Sequence, residues 1–513
     1  MTEERKAAWV DGALLVALSI LFRLPPLLNA NGLNADVAVV GLQGMHVLRG
    51  EVSPFLWGSG YQSSTDSVVA AAFFAVLGAR PWVLIFSALA LHVGLTLLAF
   101  GILRARLPER RDAVFLLSCT LVFTTAAVHS YAVNPPREAS LTLAMAALYA
   151  ASRVAASRRP WLPMAVSGVL AGVACYADPY AKLMYPAWIA FALGAMAERR
   201  AARGESWAEL GRLAGVACAA AVAGMVPDWL LRHSAGAANG PMGLELRVLG
   251  HNWELLTETC GPWAVGLQIR AANAVMDYVP WEAPLWIRGV QWAGFAGYLG
   301  LCAVSLWVSL RRSTPWPLRT VGLVGAMMTV GTVASFLCSV MVMDQFSMRY
   351  LATLTLVAPF AMAPALAKLP RRWVMPALAA HLLATGIGGW VSFRPYVSGP
   401  LPVRSEAGRA TDDFALGDLL RARGIRYATA DYWASYRLTF LFREDVIVVP
   451  KNPGEDRYRP YRTAFDTASR VAYVHDRFRS RETLADAEST AAQLGTIEDR
   501  TTLGPHTVFF VRR

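Results

Sequence analysis

The sequence predicts a polytopic α-helical membrane protein with about eleven transmembrane helices, followed by a small C-terminal α/β domain. Composition predicts the membrane part, because 55% of the 513 residues are hydrophobic and only 16% are charged. The mean hydropathy of +0.38 is far from that of an average soluble protein. From about residue 396 onward the apolar runs shorten from helix length to strand length, which predicts the separate C-terminal domain.

Apolar runs of roughly membrane-spanning length follow one another along residues 1–395 and avoid charges at their centres. A further run at 67–79 is too short to cross, and we interpret it as a helix lying on the outer face. The predicted transmembrane helices lie near 9–28, 81–103, 113–131, 139–152, 161–176, 183–197, 213–231, 287–310, 320–343, 350–367 and 373–393.

The Lys and Arg residues of the short loops set the predicted topology, because cytoplasmic loops collect these residues. With a cytoplasmic N-terminus, the basic loops all fall on the cytoplasmic side, and loops 30–80 and 232–286 and residues 396–513 fall outside. The net charge of +12 lies mostly in the basic loops, where it meets anionic lipid, so nucleic-acid binding is not needed to explain it. The basic loops are 104–111, 153–159, 198–212, 311–319 and 368–372.

The two outer loops differ in character. Residues 36–49 carry an apolar stripe at helical spacing, which is typical of a helix lying at the membrane interface. Such a helix would hold Asp36 at the water boundary, with Gln43 pointing the same way and His46 about a quarter turn away. The loop 232–286 is rich in Trp and has no recognisable catalytic spacing, so we expect a lid or an interfacial cap.

The C-terminal residues 396–513 alternate between strand-like and helix-like patterns, which predicts a mostly parallel sheet. No GxGxxG or P-loop occurs there, so nucleotide binding has no support. The six cysteines of the chain include no CxxC pair, and neither a zinc site nor a disulfide framework is indicated. The predicted strands are 425–430, 445–450, 470–475 and 506–513, and the predicted helices are 411–423, 432–442 and 481–494.

Four stretches carry a resemblance to a known class of enzyme. An outward loop with an early Asp, NADVAVVGLQGMHVLRGE (34–51), is followed by GSGYQSSTDSVVAAAFFAVLGARPW (58–82). Together with FSMRYLATLTLVAPF (346–360) and ADYWASYRLTFLFRED (430–445), these stretches resemble the integral membrane glycosyltransferases of the GT-C class. More narrowly, they are similar to the family 39-like enzymes, which include protein mannosyltransferases and the aminoarabinose transferase of lipid A.

The resemblance implies a glycosyltransferase that takes a sugar from a polyprenyl-phosphate donor at the outer face of a bacterial cytoplasmic (inner) membrane. The acceptor is the hydroxyl of a lipid, a glycan or a protein. By its position in the first outward loop, Asp36 is the candidate base that removes the proton of the acceptor hydroxyl. Arg349 and Tyr350, at the start of a late helix, are the candidate residues for the leaving phosphate.

Each candidate also has a structural reading. Asp36 could cap a helix N-terminus, a role for which Asn34 competes. Arg137 and Lys182 fall at outer helix ends and could help Arg349 to bind phosphate, or could simply reach lipid headgroups.

Three further residues are weaker candidates for contacts with substrate. Glu138 begins the fourth helix, where the helix dipole alone favours a carboxylate. Alternatively, Glu138 orients the acceptor or holds a divalent metal ion together with Asp36. For Asp66 a place at a helix start is favoured over a contact with substrate. For His46 a role as a polar residue at the membrane interface is favoured over a contact with substrate. No cofactor other than a divalent metal ion is suggested.

Two other functions stay open at this stage. A lipid or solute transporter or flippase would be expected to show paired repeats or charges deep in the spans, whereas the candidate charges here crowd the outer boundary. A catalytically inactive membrane scaffold is the other alternative, because the pair of acids frequent in the first loop of these enzymes is reduced here to the single Asp36.

Overall fold

The computed structural model describes residues 3–125, 128, 132, 135–231, 243–267, 284–392, 406–477, 480 and 482–513. Within them, each predicted transmembrane run overlaps an α-helix, although the run at 9–28 is divided into two helices at Arg23 and the helix in the run at 113–131 ends at Val122. The helices of this part are α1 (Glu3–Phe22), α2 (Leu24–Leu28), α3 (Ala35–Leu48), α4 (Thr65–Leu77), α5 (Pro81–Arg106), α6 (Arg111–Val122), α7 (Glu138–Arg153), α8 (Trp161–Ala177), α9 (Tyr185–Arg203), α10 (Trp207–Leu231), α11 (Leu249–Leu255), α12 (Gly261–Val265), α13 (Leu285–Leu310), α14 (Trp316–Cys338), α15 (Ala352–Lys368) and α16 (Arg371–Ser392).

The membrane part is a helical bundle built around α15. This helix is the most deeply buried of those with membrane length, and it packs against α14, α13 and α6. Among the described residues, five helices are long and apolar enough to cross a membrane, so a count of about eleven spans stays a prediction. The five are Pro81–Arg106, Trp207–Leu231, Leu285–Leu310, Trp316–Cys338 and Ser347–Lys368.

The first outer loop forms the two helices that the sequence predicts, but α3 is not a surface helix. It lies between α4 and the C-terminal domain, and ten of its fourteen residues are buried. At Gly41 a Cβ atom would lie 2.7 Å from Phe440 of the C-terminal domain and equally close to Leu84 of α5. The apolar stripe of α3 therefore packs against protein rather than lipid, and a glycine is needed where the two parts approach most closely.

Residues 406–513 form the predicted α/β domain. The elements are α17 (Glu406–Ala422), β1 (Tyr427–Ala430), α18 (Tyr432–Leu441), β2 (Ile447–Pro450), α19 (Arg459–Asp466), β3 (Arg470–Asp476), α20 (Leu484–Leu494), β4 (Thr496–Leu503) and β5 (His506–Arg512). The five strands form one sheet in the order β2-β1-β3-β5-β4. Strands β1, β2 and β3 are parallel, whereas β5 is antiparallel to β3 and β4 is antiparallel to β5, so the sheet is mixed rather than mostly parallel.

Strand β4 is the element that the sequence prediction missed. Its residues, TIEDRTTL, have no hydrophobic run, and burial along the strand only alternates between exposed and half-buried. The strand is at the edge of the sheet and pairs only with β5. Because an edge strand with one solvated face needs few apolar residues, its pattern resembles a polar loop.

The C-terminal domain shares a hydrophobic core with the first outer loop. Val37 and Val40 of α3 belong to the same buried cluster as Tyr436 and Phe440 of α18 and Phe509 of β5. The domain is thus seated directly on the helix that carries Asp36. The predicted boundary between residues 395 and 396 lies outside the described residues.

Of the predicted second outer loop, residues 232–286, the structure describes residues 243–267 and residues 284–286, where α13 begins. The part at 243–267 contains α11, a π-helical turn (Leu256–Cys260) and α12, and Trp263 is buried in the bundle core. The carbonyl of Ala264 accepts hydrogen bonds from Thr125 at 2.9 Å and Thr355 at 3.0 Å. This part of the loop is therefore an integral piece of the bundle, and the remainder of the predicted cap lies outside the described residues.

Candidate active site

Asp36 lies in the first turn of α3, but it does not cap that helix. The capping residue is Asn34, whose side chain accepts a hydrogen bond from the backbone N–H of Val37 at 3.0 Å. The Asp36 carboxylate is consequently available for other contacts, and its side chain is 45% exposed. It accepts a hydrogen bond from the hydroxyl of Tyr432 and lies 3.4 Å from Nη2 of Arg457.

Both partners of Asp36 come from the C-terminal domain. The guanidinium of Arg457 donates through Nε to the hydroxyl of Tyr432 at 3.1 Å and through Nη1 to the carbonyl of Gly58 at 3.0 Å. Gly58 has φ +65°, and a Cβ atom there would lie 2.4 Å from the Arg457 side chain. A glycine is therefore required for Arg457 to reach the first outer loop and Asp36.

A second basic residue, Arg137, is linked to Arg457 through Tyr61. Arg137 hydrogen-bonds the Tyr61 hydroxyl, and its Nε lies 3.1 Å from the Asp178 carboxylate. Burial raises the pKa of Tyr61, and the nearby charges of Arg137, Asp178 and Arg457 act on it as well. The side chain of Gln62 donates a hydrogen bond to the same oxygen, Oδ2 of Asp178, at 2.6 Å.

Arg349 and Tyr350 join this arrangement through Tyr180. The Tyr180 hydroxyl lies 3.3 Å from the Arg349 carbonyl and 3.1 Å from the Tyr350 carbonyl, and the Arg137 guanidinium stacks over the Tyr180 ring at 5.3 Å. The Arg349 side chain donates to the Tyr350 hydroxyl at 3.0 Å. Tyr180 thus reaches Arg349 and Tyr350 through their backbone carbonyls, and Tyr61 is related to Arg457 by charge rather than by a hydrogen bond. We call the whole set of residues the polar network: Asp36, Tyr432, Arg457, Tyr61, Arg137, Asp178, Tyr180, Arg349 and Tyr350.

Asp66 organises the backbone at Arg137 and is not open to solvent. It is buried in the first turn of α4 and accepts hydrogen bonds from the N–H groups of Arg137 at 3.1 Å and Ala139 at 3.2 Å. Burial raises the pKa of Asp66 to about 6, against the effect of these hydrogen bonds. Arg137 itself has φ +118°, an unfavourable conformation for a residue with a side chain. Asp66 therefore acts as a helix cap for α7 and holds Arg137 in place.

Glu138 has a different partner from Asp36, the buried His92. Its carboxylate is buried and lies 2.8 Å from Nδ1 of His92, whose Nε2 lies 2.9 Å from the carbonyl of Leu121. Within the described residues no group of three or more His, Cys, Asp or Glu side chains could hold a metal ion. Since Asp36 and Glu138 have separate sets of partners, the geometry gives no support to a metal site shared by the two.

Lys182 lies on the short 3₁₀ helix Pro179–Met184 that also carries Tyr180. Its side chain is exposed and, within the described part of the chain, has no hydrogen bond or ion pair. The cation next to Asp36 is instead Arg457, which the sequence reasoning did not consider.

His46 has a structural role at the far end of α3. Nδ1 lies 2.6 Å from Glu51 and Nε2 lies 2.7 Å from Glu444 of the C-terminal domain. Both ring nitrogens face carboxylates, so the ring is held as an imidazolium. Burial acts to lower the pKa of His46, but the hydrogen bonds to Glu444 and Glu51 raise it above its usual value.

We expect the stability of this contact to fall with rising pH. Because the pKa of His46 is higher in the folded than in the unfolded chain, the stabilisation is fully present below the unfolded value of about 6.5 and is lost as pH rises through the folded value. The melting temperature of the full chain, measured from about pH 6 to about pH 9, should fall more steeply for wild type than for His46→Gln. Parallel curves for the two proteins would contradict this assignment.

Known proteins resemble this chain in sequence over part of its length and in fold over nearly all of it. Residues 67–224 match the model of the family described as Dolichyl-phosphate-mannose-protein mannosyltransferase. No curated protein matches the chain. The solved structure of ArnT from Cupriavidus metallidurans bound to undecaprenyl phosphate has a TM-score of 0.58 and 13% identity, and the alignment covers 98% of both chains. For ArnT from the same organism in the apo state the TM-score is 0.57 and the identity 12%, with 98% of this chain and 97% of that chain covered.

These findings confirm the resemblance to GT-C membrane glycosyltransferases. Because the sequence identities are low, the structural matches show a shared fold, which includes the helical bundle and the C-terminal domain. The family match falls on α4 to α10 and therefore contains Arg137, Asp178 and Tyr180 of the polar network.

Proposed function

We propose that the protein is a membrane glycosyltransferase that moves a sugar from a polyprenyl-phosphate donor to an acceptor hydroxyl at the outer face of the bacterial cytoplasmic membrane. The observation that carries the proposal is the polar network, in which a half-exposed carboxylate contacts Arg457 and to which Arg137 and Arg349 also belong. In this assignment the C-terminal domain is extracytoplasmic and lies over the reaction site.

In the proposed reaction, the oxygen of the acceptor hydroxyl attacks the anomeric carbon, and Asp36 accepts the proton of that hydroxyl. The new bond is a glycosidic C–O bond, and the bond that breaks joins the anomeric carbon to the phosphate oxygen. The electron pair leaves with the polyprenyl phosphate, whose additional negative charge needs cationic donors. A single displacement of this kind inverts the anomeric centre.

The arginines of the polar network fit the needs of the leaving phosphate. Arg457 contacts the proposed base, Arg137 is paired with Asp178, and the Arg349 side chain donates to the Tyr350 hydroxyl just before α15. Arg137 is held by Asp178, Tyr61 and the Asp66 helix cap, so its guanidinium is fixed before substrate binds. Fixed donors stabilise developing charge without the cost of reorganisation. The bound undecaprenyl phosphate of the ArnT structure supports a polyprenyl-phosphate donor for a chain of the same fold.

We expect Arg457→Gln to lower kcat/KM for sugar transfer by about tenfold to a hundredfold, because its guanidinium, on a side chain that is 27% exposed, is the cation next to the proposed base. Arg457→Lys should recover part of the loss. The matched control is Arg459→Gln, which removes an exposed arginine two residues away on the same domain. Equal losses for Arg457→Gln and Arg459→Gln would show that general surface charge, rather than the contact with Asp36, is responsible.

The proposed activity is tested with purified protein in vesicles that contain polyprenyl-phosphate sugars with a radiolabelled sugar. Transfer should release free polyprenyl phosphate and move label to a hydroxyl acceptor in equal amounts. Movement of intact donor lipid between leaflets without release of polyprenyl phosphate would favour a flippase. If the protein neither transfers sugar nor moves donor lipid over a panel of donors and of lipid, glycan and peptide acceptors, an inactive scaffold is favoured.

A further inference from the structure

A separate cavity lies at the opposite end of α3 from Asp36. It has a volume of about 590 Å³, is open to solvent, and is lined by the end of α3, the connection from α4 to α5, and the C-terminal domain. His46 and Arg49 line it from α3, Ala79 from the connection, and Arg426 and Arg443 from the C-terminal domain. His46 is ten residues beyond Asp36, which corresponds to about 15 Å along a helix.

Aromatic rings separate this cavity from the polar network. His46 packs edge-on against Trp57 with the ring centroids 4.7 Å apart, and Trp57 stacks on Tyr458 at 3.9 Å. Tyr458 follows Arg457 directly in the chain and also contacts the His46 ring. These rings fill the space between His46 and the neighbourhood of Arg457, so the cavity is a site of its own.

The charge of the cavity lining favours an anion. Four cationic groups line the cavity together with the carboxylates of Glu444 and Asp445, and the carboxylate of Glu51 lies 2.6 Å from His46 just outside the lining, so the cations exceed the carboxylates by one. Glu444 is already bound by His46 and Arg49, and Asp445 lies 3.7 Å from Arg421.

Arg426 and Arg443 are the cations left over. Both are exposed, and neither has an ion pair within the described residues. Guanidinium groups present several donors in a planar arrangement that matches the oxygens of phosphate.

The backbone beside the cavity is strained. Arg443 and Glu444 are consecutive residues with φ of +53° and +66°, a left-handed conformation that is unfavourable for residues with side chains. The hydrogen bonds of Glu444 to His46, Arg49 and Tyr461 hold this turn. Strain of this kind is found where a side chain is held for function, and here it turns Arg443 toward the cavity.

An apolar surface adjoins the cavity. Leu48, which lines it, is about half exposed, and Val76 and Leu77 at the end of α4 are exposed as well. The helix α5 begins only a few residues later, at Pro81, and has the length and composition of a membrane span. The cavity therefore lies at the level where α5 enters the membrane, which is the level of lipid headgroups.

We propose that this cavity binds the phosphate of an anionic membrane lipid, with Arg426 and Arg443 contacting the phosphate and the apolar surface around Leu48 contacting the acyl chains. A free phosphate ion would use the arginines alone. The bound lipid joins α3 and the α4–α5 connection to the C-terminal domain.

The test uses the purified full chain, stripped of lipid in a neutral detergent and titrated with short-chain phosphatidylglycerol while bound lipid is counted by native mass spectrometry. The variant combines Arg426→Gln with Arg443→Asn, because asparagine tolerates the left-handed backbone at 443. We expect the dissociation constant to rise by about tenfold or more in this variant, since two charge-assisted contacts are lost. The matched control combines Arg459→Gln with Arg512→Gln, two exposed arginines of the same domain that do not line the cavity.

Equal affinity of wild type and the Arg426→Gln, Arg443→Asn variant for phosphatidylglycerol, or an equal loss in the control, would overturn the site. A second titration uses inorganic phosphate as competitor. Weak competition, requiring concentrations far above that of the lipid, supports a lipid headgroup. Competition at equal concentration would overturn the lipid assignment and identify a site for free phosphate. Melting temperatures of all variants establish that they remain folded.

Discussion

Replacing Asp36 by Asn is expected to lower the turnover of sugar transfer by about 10²- to 10⁴-fold, the usual contribution of a positioned general base. The amide has the size of the carboxylate and can still accept the hydrogen bond of Tyr432, but it cannot take the proton of the acceptor hydroxyl. Because the loss falls on the chemical step, the KM for the polyprenyl-phosphate donor should change little. The measurement is the initial rate of label transfer at saturating donor.

Two controls separate a base from a structural carboxylate at position 36. Asp36→Glu keeps the proton acceptor but displaces it, so turnover should fall less than in Asp36→Asn. Asp466→Asn removes an exposed carboxylate from α19 of the C-terminal domain and should leave turnover unchanged. Full turnover in Asp36→Asn would exclude the proposed mechanism, and an unfolded variant would be recognised by loss of the wild-type melting transition.

The first outer loop marks the limit of what the sequence can predict about the site. The helical pattern of residues 36–49 predicted α3, and the position of Asp36 in the first outward loop predicted its exposure. Its neighbours could not be predicted, because Arg457 is 421 residues away in sequence and Tyr432 is 396 residues away. No local pattern relates such positions. A stretch containing Tyr432 entered the resemblance, but only packing of the C-terminal domain on α3 brings its hydroxyl to Asp36.

The fold shows the same distinction between local pattern and tertiary partner. Long apolar runs predicted where the helices of the bundle lie, since burial in lipid or in protein needs the same residues, but they misplaced several ends, as at 113–131, where the helix stops at Val122. The apolar stripe on α3 was correctly predicted, but it was expected to contact lipid and instead contacts the C-terminal domain. An apolar stripe has the same sequence pattern for either partner. The signal for the protein partner was Gly41, whose missing side chain admits Phe440.

Asp413→Asn is expected to reduce the free energy of unfolding of the C-terminal domain by about 3–5 kcal/mol, because it breaks a buried ion pair from one side. The Asp413 carboxylate binds the guanidinium of Arg437 and lies 3.0 Å from Nε2 of His506, and all three side chains are buried. Burial acts to raise the pKa of Asp413, but the charge of Arg437 and the hydrogen bond of His506 lower it to about 2. The stabilisation is therefore present above the unfolded value of about 3.9 and is lost as pH falls toward 2.

The measurement is hydrogen exchange of the central strand β3 in the full chain, which reports the free energy of opening this domain. The matched control, Asp412→Asn, changes a half-exposed neighbour and should have little effect. A double variant, Asp413→Leu with Arg437→Met, removes both charges and should lose less stability than Asp413→Asn, since no guanidinium is left buried without a carboxylate. If the double variant were as unstable as the single one, shape rather than charge would account for the loss.

Arg437 also donates to the carbonyl of Asn31 at 3.2 Å, five residues before Asp36. Even a folded Asp413→Asn protein is therefore expected to hold the C-terminal domain less firmly over Asp36, and sugar transfer should decrease with domain stability while the domain still folds.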